Sequence, residues 1–221
     1  MVKYLISLFL LALFATPAFC EPAISCHCFQ DRSFDPDRPA AVDEYLLATT
    51  QNSFMAAAFG FPKQDLVRAK MKGSSGDRLW VAHYVASRSK HSAADLQTAR
   101  GGVSSWSAVF TSFSIEVSSF GSAFADALSG KASEAGLAAA AADETLIARF
   151  GSGREEVEEL RRQGASTAEM VLALFLSRQG KRSAADYYGE ARSGAASWGT
   201  LLHRAGLQPA EAGDTISRML R

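Results

Sequence analysis

Ser92-Ala-Ala-Asp-Leu-Gln-Thr-Ala-Arg-Gly-Gly-Val-Ser-Ser-Trp106 returns later in the chain as Ser183-Ala-Ala-Asp-Tyr-Tyr-Gly-Glu-Ala-Arg-Ser-Gly-Ala-Ala-Ser-Trp198. The Ser-Ala-Ala-Asp start recurs after 91 residues, and one inserted residue places Arg100 and Trp106 on Arg192 and Trp198 at a spacing of 92. Working outward, Ala57, Phe59 and Gly60 fall on Ala148, Phe150 and Gly151, and Gly73 and Ser75 fall on Gly164 and Ser166. Ala82 falls on Ala173 and Lys90 on Lys181, while Leu79 with Met170 and Tyr84 with Phe175 keep their apolar character. Self-similarity at a fixed spacing is the mark of a repeated structural unit. The expectation is a tandem duplication whose signature residues are Arg100, Trp106, Arg192 and Trp198.

The punctuation of each copy predicts short helices. Phe59-Gly60 and Phe150-Gly151 read as helix ends, because glycine takes the left-handed position after a helix without strain. Ser75, Ser166, Ser92 and Ser183 are placed as N-caps, and Ser166-Thr-Ala-Glu169 has the form of a capping box. Asp95 and Asp186 sit where a carboxylate favours the helix dipole. Met170-Val-Leu-Ala-Leu-Phe-Leu176 is apolar almost all round, which predicts a central buried helix.

Between the copies Trp106, Phe110, Phe113, Val117, Phe120, Phe124 and Leu128 are spaced by three or four residues. That spacing predicts one continuous helix with an apolar stripe. Its other side is mostly Ser and Thr without Lys or Arg, unlike a membrane-surface helix. The stripe reads either as core packing or as a partner-binding face made by Trp106, Phe110, Phe113, Phe120 and Phe124. Residues 129–142 read as a connector. The expected organisation is a signal peptide at 1–20, an acidic Cys-bearing arm and first helix at 21–52, repeat 1 at 53–106, a connecting helix and linker at 107–142, and repeat 2 at 143–221.

The N-terminus carries an export signature. Lys3 precedes the apolar run Tyr4–Phe14, and Ala15-Thr-Pro-Ala-Phe-Cys20 follows, an arrangement read as a cleavable signal peptide. Cleavage falls before Glu21 or before Phe19, and a loose lipid-attachment box ends at Cys26. Without residues 1–20 the chain has 22 basic and 23 acidic side chains, which gives no global reason to bind nucleic acid. No later run reaches the ~18 apolar residues of a membrane span. Charge is uneven: residues 21–52 hold two basic and six acidic side chains, residues 53–102 eight basic and three acidic.

Arg192-Ser-Gly-Ala-Ala-Ser-Trp198-Gly199, followed by Leu201 and Gly206-Leu-Gln-Pro209, resembles a helical motif in uncharacterised secreted proteins of proteobacteria. The arm from Cys26 to Asp35 and the stretch Ala48–Ser53 are similar to the start of some of these proteins. The two stretches cover about a fifth of the chain. Copy one departs from the motif, with Ser107 where copy two has Gly199. The resemblance implies shared architecture and carries over no activity.

Cys26-His27-Cys28 is the one motif with chemistry of its own. Two thiolates and an imidazole are soft ligands that suit copper or zinc. A closed structural zinc site needs four ligands, usually from Cys pairs spaced two to four residues apart, and this motif is tighter. Haem attachment follows a different order, Cys-x-x-Cys-His. In an oxidising compartment the thiols end as disulfides. Metal or haem binding, thiol redox chemistry, lipidation and a chemically silent disulfide stay open at these three residues. No nucleophile elbow, zincin helix or phosphate loop is present in the sequence. His83 falls inside the counterpart of the buried helix and reads as a core histidine. The expectation is an all-α, periplasmic or secreted protein without catalytic residues or a resident cofactor. Its partner is another protein or a second copy, with neither nucleic acid nor a membrane span involved.

Overall fold

Serine caps and glycine stops divide the chain into short helices, and the computed structural model describes residues 29–221 of it. Among the described residues there are twelve α-helices and no strands. The first six are α1 (Asp43–Phe59), α2 (Lys63–Met71), α3 (Gly76–Ala86), α4 (Ala93–Gly102), α5 (Trp106–Ser112) and α6 (Ser122–Ser129). The second six are α7 (Glu134–Phe150), α8 (Arg154–Arg162), α9 (Thr167–Gln179), α10 (Ala184–Ser193), α11 (Trp198–Arg204) and α12 (Pro209–Met219). Helices α7 to α10 start 91 residues after α1 to α4, and α11 starts 92 after α5.

Caps fall at matching places. Ser75, Ser92 and Ser105 each accept the backbone N–H three residues on, and so do Ser166, Ser183 and Ser197. Each such cap is worth about 1 kcal/mol. Ser166 with Glu169 forms the expected capping box. Met170 to Leu176 are all buried, so α9 is the central helix its composition predicts.

The first helix of each half packs into the other half. Helix α1 lies chiefly against α12 and α9, whereas α7 lies against α3 and α6. Helix ends fix the exchange. Asp43, the first residue of α1, accepts the N–H groups of Trp198 (3.2 Å) and Gly199 (2.8 Å) at the start of α11. Glu134, the first residue of α7, accepts the indole N–H of Trp106 (2.8 Å) at the start of α5. Near the end of α7, Phe150 stacks on Phe54 of α1 with centroids 5.0 Å apart, and Arg149 donates to the carbonyl of Ala58. One hydrophobic core therefore runs through both halves.

The aromatic stretch between the copies is not one helix. Helix α5 ends at Ser112, a 3-10 turn spans Val117–Ser119, and α6 starts at Ser122. The chain folds back, and Phe110, Phe120 and Phe124 meet as a cluster with centroids 5.3–6.2 Å apart, closed by Tyr84. Trp106, Phe110, Phe120 and Phe124 are buried, and half-buried Phe113 meets the edge of His91. Their side chains, some in the two short helices and Phe113 and Phe120 in the turns between, pack on the protein's own core and do not form a free stripe. The expected connector at 129–142 is likewise shorter, because α7 already begins at Glu134, nine residues ahead of the boundary placed at 143.

The turns after α5 and α11 close alike, with Ile115 N–H bonding Phe110 C=O and Leu207 N–H bonding Leu202 C=O. Both need a left-handed residue. Copy two supplies Gly206 (φ 75°), whereas copy one strains Ser114 (φ 52°). A side chain in this conformation costs roughly 1 kcal/mol. Ser114→Gly is expected to stabilise the protein by about 0.5–1 kcal/mol and Gly206→Ser to destabilise it by about the same, in denaturant titration. The exchange of first helices gives a second expectation. Leu46→Ala in α1 removes a fully buried side chain at a cost of about 2–5 kcal/mol. Its hydrogen exchange is expected to rise first in α9 and α12, and that of Leu146→Ala in α7 to rise first in α3 and α6.

Candidate functional site

Three polar centres and one docked segment carry the chemistry of the described residues. The first centre surrounds Glu134. Its carboxylate accepts from Trp106 and lies 3.3 Å from Arg100 Nε and 3.6 Å from Arg78 Nε. Both Nε atoms are buried, while the side chains of Arg78, Arg100 and Glu134 stay partly exposed, so the carboxylate lies against two half-buried guanidinium groups. Arg100 also donates to the carbonyl of Val103, which holds the turn into α5.

The second centre is Glu144, buried in α7. It accepts from the Tyr84 hydroxyl and, at 3.2 Å, from the N–H of Phe124, and so caps α6 from a neighbouring helix. A side chain at Gly121 would overlap this carboxylate, so glycine is what lets it approach. Burial, then the bond to Glu144, pushes the Tyr84 phenol well above its ordinary range. In the other half Phe175 and Ser53 stand 91 residues from Tyr84 and Glu144. The polar pair has an apolar and small counterpart there, consistent with a packing role.

The third centre pairs Asp143 of α7 with Arg161 of α8. Arg161 Nε donates to Asp143 at 2.8 Å, while its other nitrogens hold the Ala165 carbonyl and the Thr167 hydroxyl. Burial raises the Asp143 carboxyl and Arg161 opposes the rise. Asn52 and Lys70, 91 residues earlier, make the matching contact at 2.7 Å. The same cross-brace is thus built once with charge and once with an amide.

The docked segment precedes α1. Phe34 stacks on His203 of α11 at 4.4 Å and 12°. A side chain on Gly199 would collide with the Pro39 carbonyl and the Val42 methyl, so the backbone of α11 is open at this point for the arm. Sequence reasoning found Gly199 and Ser107 as a difference between the copies without finding its cause, which is the seat of this arm.

Among the expected site residues, Arg100, Trp106 and Trp198 hold the helix exchange, and Arg192 donates to the carbonyl of Gln163 at the end of α8. Cys26, His27 and Cys28 lie outside the described residues, as does Cys20. Among the described residues, no cluster of three or more His, Cys, Asp or Glu is arranged to hold a metal ion, and no helix is long and apolar enough to cross a membrane.

His83 is half-buried, its ring stacked on Phe61 at 3.9 Å, and burial lowers its pKa to about 4. The unfolded histidine takes up its proton near pH 6.5, before the folded one does. Stability therefore falls as the pH drops from about 6.5 to 4. Over that window the protein is expected to lose about 1–3 kcal/mol more than a His83→Gln variant, measured by denaturant titration at each pH. Comparison with known proteins finds no matching family model and no significant similarity to a curated protein or to a solved structure.

Proposed function

We propose that this chain is an exported, non-enzymatic interaction protein, periplasmic or secreted, built from two copies of one helical unit. The supporting observation is the difference between α2 and α8. Their inward sides match, with Leu66 and Val157 buried and the Lys70–Asn52 and Arg161–Asp143 braces at equivalent places. Their outward sides differ: Arg68 and Met71 in α2 stand where α8 has Glu159 and Arg162. Met71 is 59 % exposed, beside Val67 and Arg68 along a shallow depression of about 530 Å³. Arg68 is paired with Asp65 at 2.9 Å, so it is the apolar side chain left in water that suits a partner surface with an apolar spot. A second reading places the function in Cys26-His27-Cys28, as metal, haem or thiol chemistry, with the helices as scaffold; the soft ligand set favours it.

Site-specific photo-crosslinkers at Met71 and at Arg162 in the native host separate these possibilities from a silent surface. Met71 is expected to capture one reproducible protein and Arg162 none; equal capture at both positions, or turnover of a substrate by the purified protein, would reject the interaction reading. The native mass of the exported protein, compared with that of a Cys26→Ser, Cys28→Ser variant, tests the second. A metal or haem lost with the two cysteines would move the function to the arm.

A further inference from the structure

The junction between the halves is filled by an aromatic ring on one side and left open on the other. Phe54 of α1 stacks on Phe150 at the end of α7, with centroids 5.0 Å apart. Exchanging the halves carries this pair onto Thr145 of α7 and Phe59 at the end of α1, each 91 residues away. The same exchange carries Ala58 and Arg149, which are hydrogen-bonded to each other, onto one another. Threonine therefore stands where the other side has a phenyl ring. Its hydroxyl is turned back onto the Ala141 carbonyl of its own helix at 2.6 Å. Thr145 and Phe59 line a pocket of about 340 Å³, together with Ser87, Arg88, Ala148 and Arg149.

The cations of this pocket also belong to one side only. Arg88 has Gln179 as its counterpart, and Arg149 has Ala58. Both arginines are exposed, and they come from different elements, Arg88 just after α3 and Arg149 in the last turn of α7. Among the described residues neither pairs with a carboxylate. Arg88 lies over the Tyr84 ring at 4.1 Å and donates to the Ser87 hydroxyl at 3.1 Å, while Arg149 donates to the Ala58 carbonyl. Glu144, next to Thr145 in the chain, is committed to Tyr84 and Phe124 in the core. A guanidinium has several N–H donors, so most of those on Arg88 and Arg149 are left for a ligand.

We propose that this pocket binds a small aromatic carboxylate, its ring against Phe59 in place of the absent phenyl group and its anion held by Arg88 and Arg149. The ring is favoured by burial of apolar surface and by stacking on Phe59. The planar guanidinium groups match a carboxylate through paired hydrogen bonds. The volume suits a molecule of one or two rings. The pocket shares no residue with the depression on α2, so either proposal can fail without the other.

The test titrates the full chain with 2-naphthoate, with its neutral amide 2-naphthamide and with acetate. Saturable binding of 2-naphthoate is expected with a Kd on the order of 1 mM or tighter. Amide shifts should gather at residues 58–59, 87–88 and 145–149. The neutral amide and acetate should each bind at least about tenfold more weakly, since one lacks the charge and the other the ring. Arg88→Gln installs the other half's residue at an exposed position and should weaken binding at least about fivefold with folding unchanged. Thr145→Phe restores the missing ring and should abolish binding; Arg88→Gln decides the matter where the larger side chain disturbs packing. Absence of saturation, equal binding of 2-naphthamide or acetate, an unchanged affinity in Arg88→Gln, or shifts centred elsewhere would each overturn the proposal.

Discussion

The burial of α1 against α9 and α12 is the constraint from which the rest of the fold follows. Leu46, Phe54 and Met55 have almost no exposed surface, and most of what α1 lies against is at least a hundred residues further along the chain. Helix α7 meets the same need in the opposite direction, on α3 and α6. Neither half closes its core from its own first helix. The two first helices thus cross over, each packing chiefly on helices of the other half. The two acids at the helix starts, Asp43 and Glu134, then fix how far each helix slides, since each must reach a tryptophan-led helix of the other half.

Once that frame is set, the polar interior is free to vary in composition but not in position. The Asp143–Arg161 brace keeps its geometry with a charge pair, and Asn52–Lys70 keeps it with an amide. The buried Tyr84–Glu144 bond has Phe175 and Ser53 at the matching places, where no carboxylate has to be desolvated. Removing one member of a buried polar pair leaves its partner unsatisfied at about 1–3 kcal/mol, so such pairs change together or not at all. The outward positions have no such coupling. That is how α2 and α8 come to differ in charge.

Much of this was legible in the residues and some was not, for physical reasons. Serine caps, glycine stops and the all-apolar Met170–Leu176 report local energetics, so the helices and the burial of α9 were readable. The spacing of Trp106 to Leu128 was read correctly as apolar and wrongly as one helix. A stripe records only that side chains are buried, and three phenylalanines can be buried by folding the chain back at Ser114 as well as by one straight face. The exchange of first helices left no local trace, because α1 looks alike whether it packs on its own half or on the other. The signature residues Arg100, Trp106 and Trp198 were visible as repeats, but their role as anchors for a distant helix appears only when Glu134 and Asp43 are seen beside them.

The exchange also orders the assembly of the protein. Helix α7 can join α3 and α6 once residue 150 is present, a closure among helices that are near in sequence. Helix α1 meets α2 and α3 early, with Phe54 and Phe59 against Trp80, but the larger face it turns toward α9 and α12 stays exposed until those helices are available. Pairing at this separation carries the full entropy of closing the chain, so it is the slower step in folding. The arm makes the late step firmer. Residues 34–42 pass over α11 just before α1 begins, and their contacts with Gly199 and His203 form with the same closure. The groove that receives the arm is thus completed by the last event of folding.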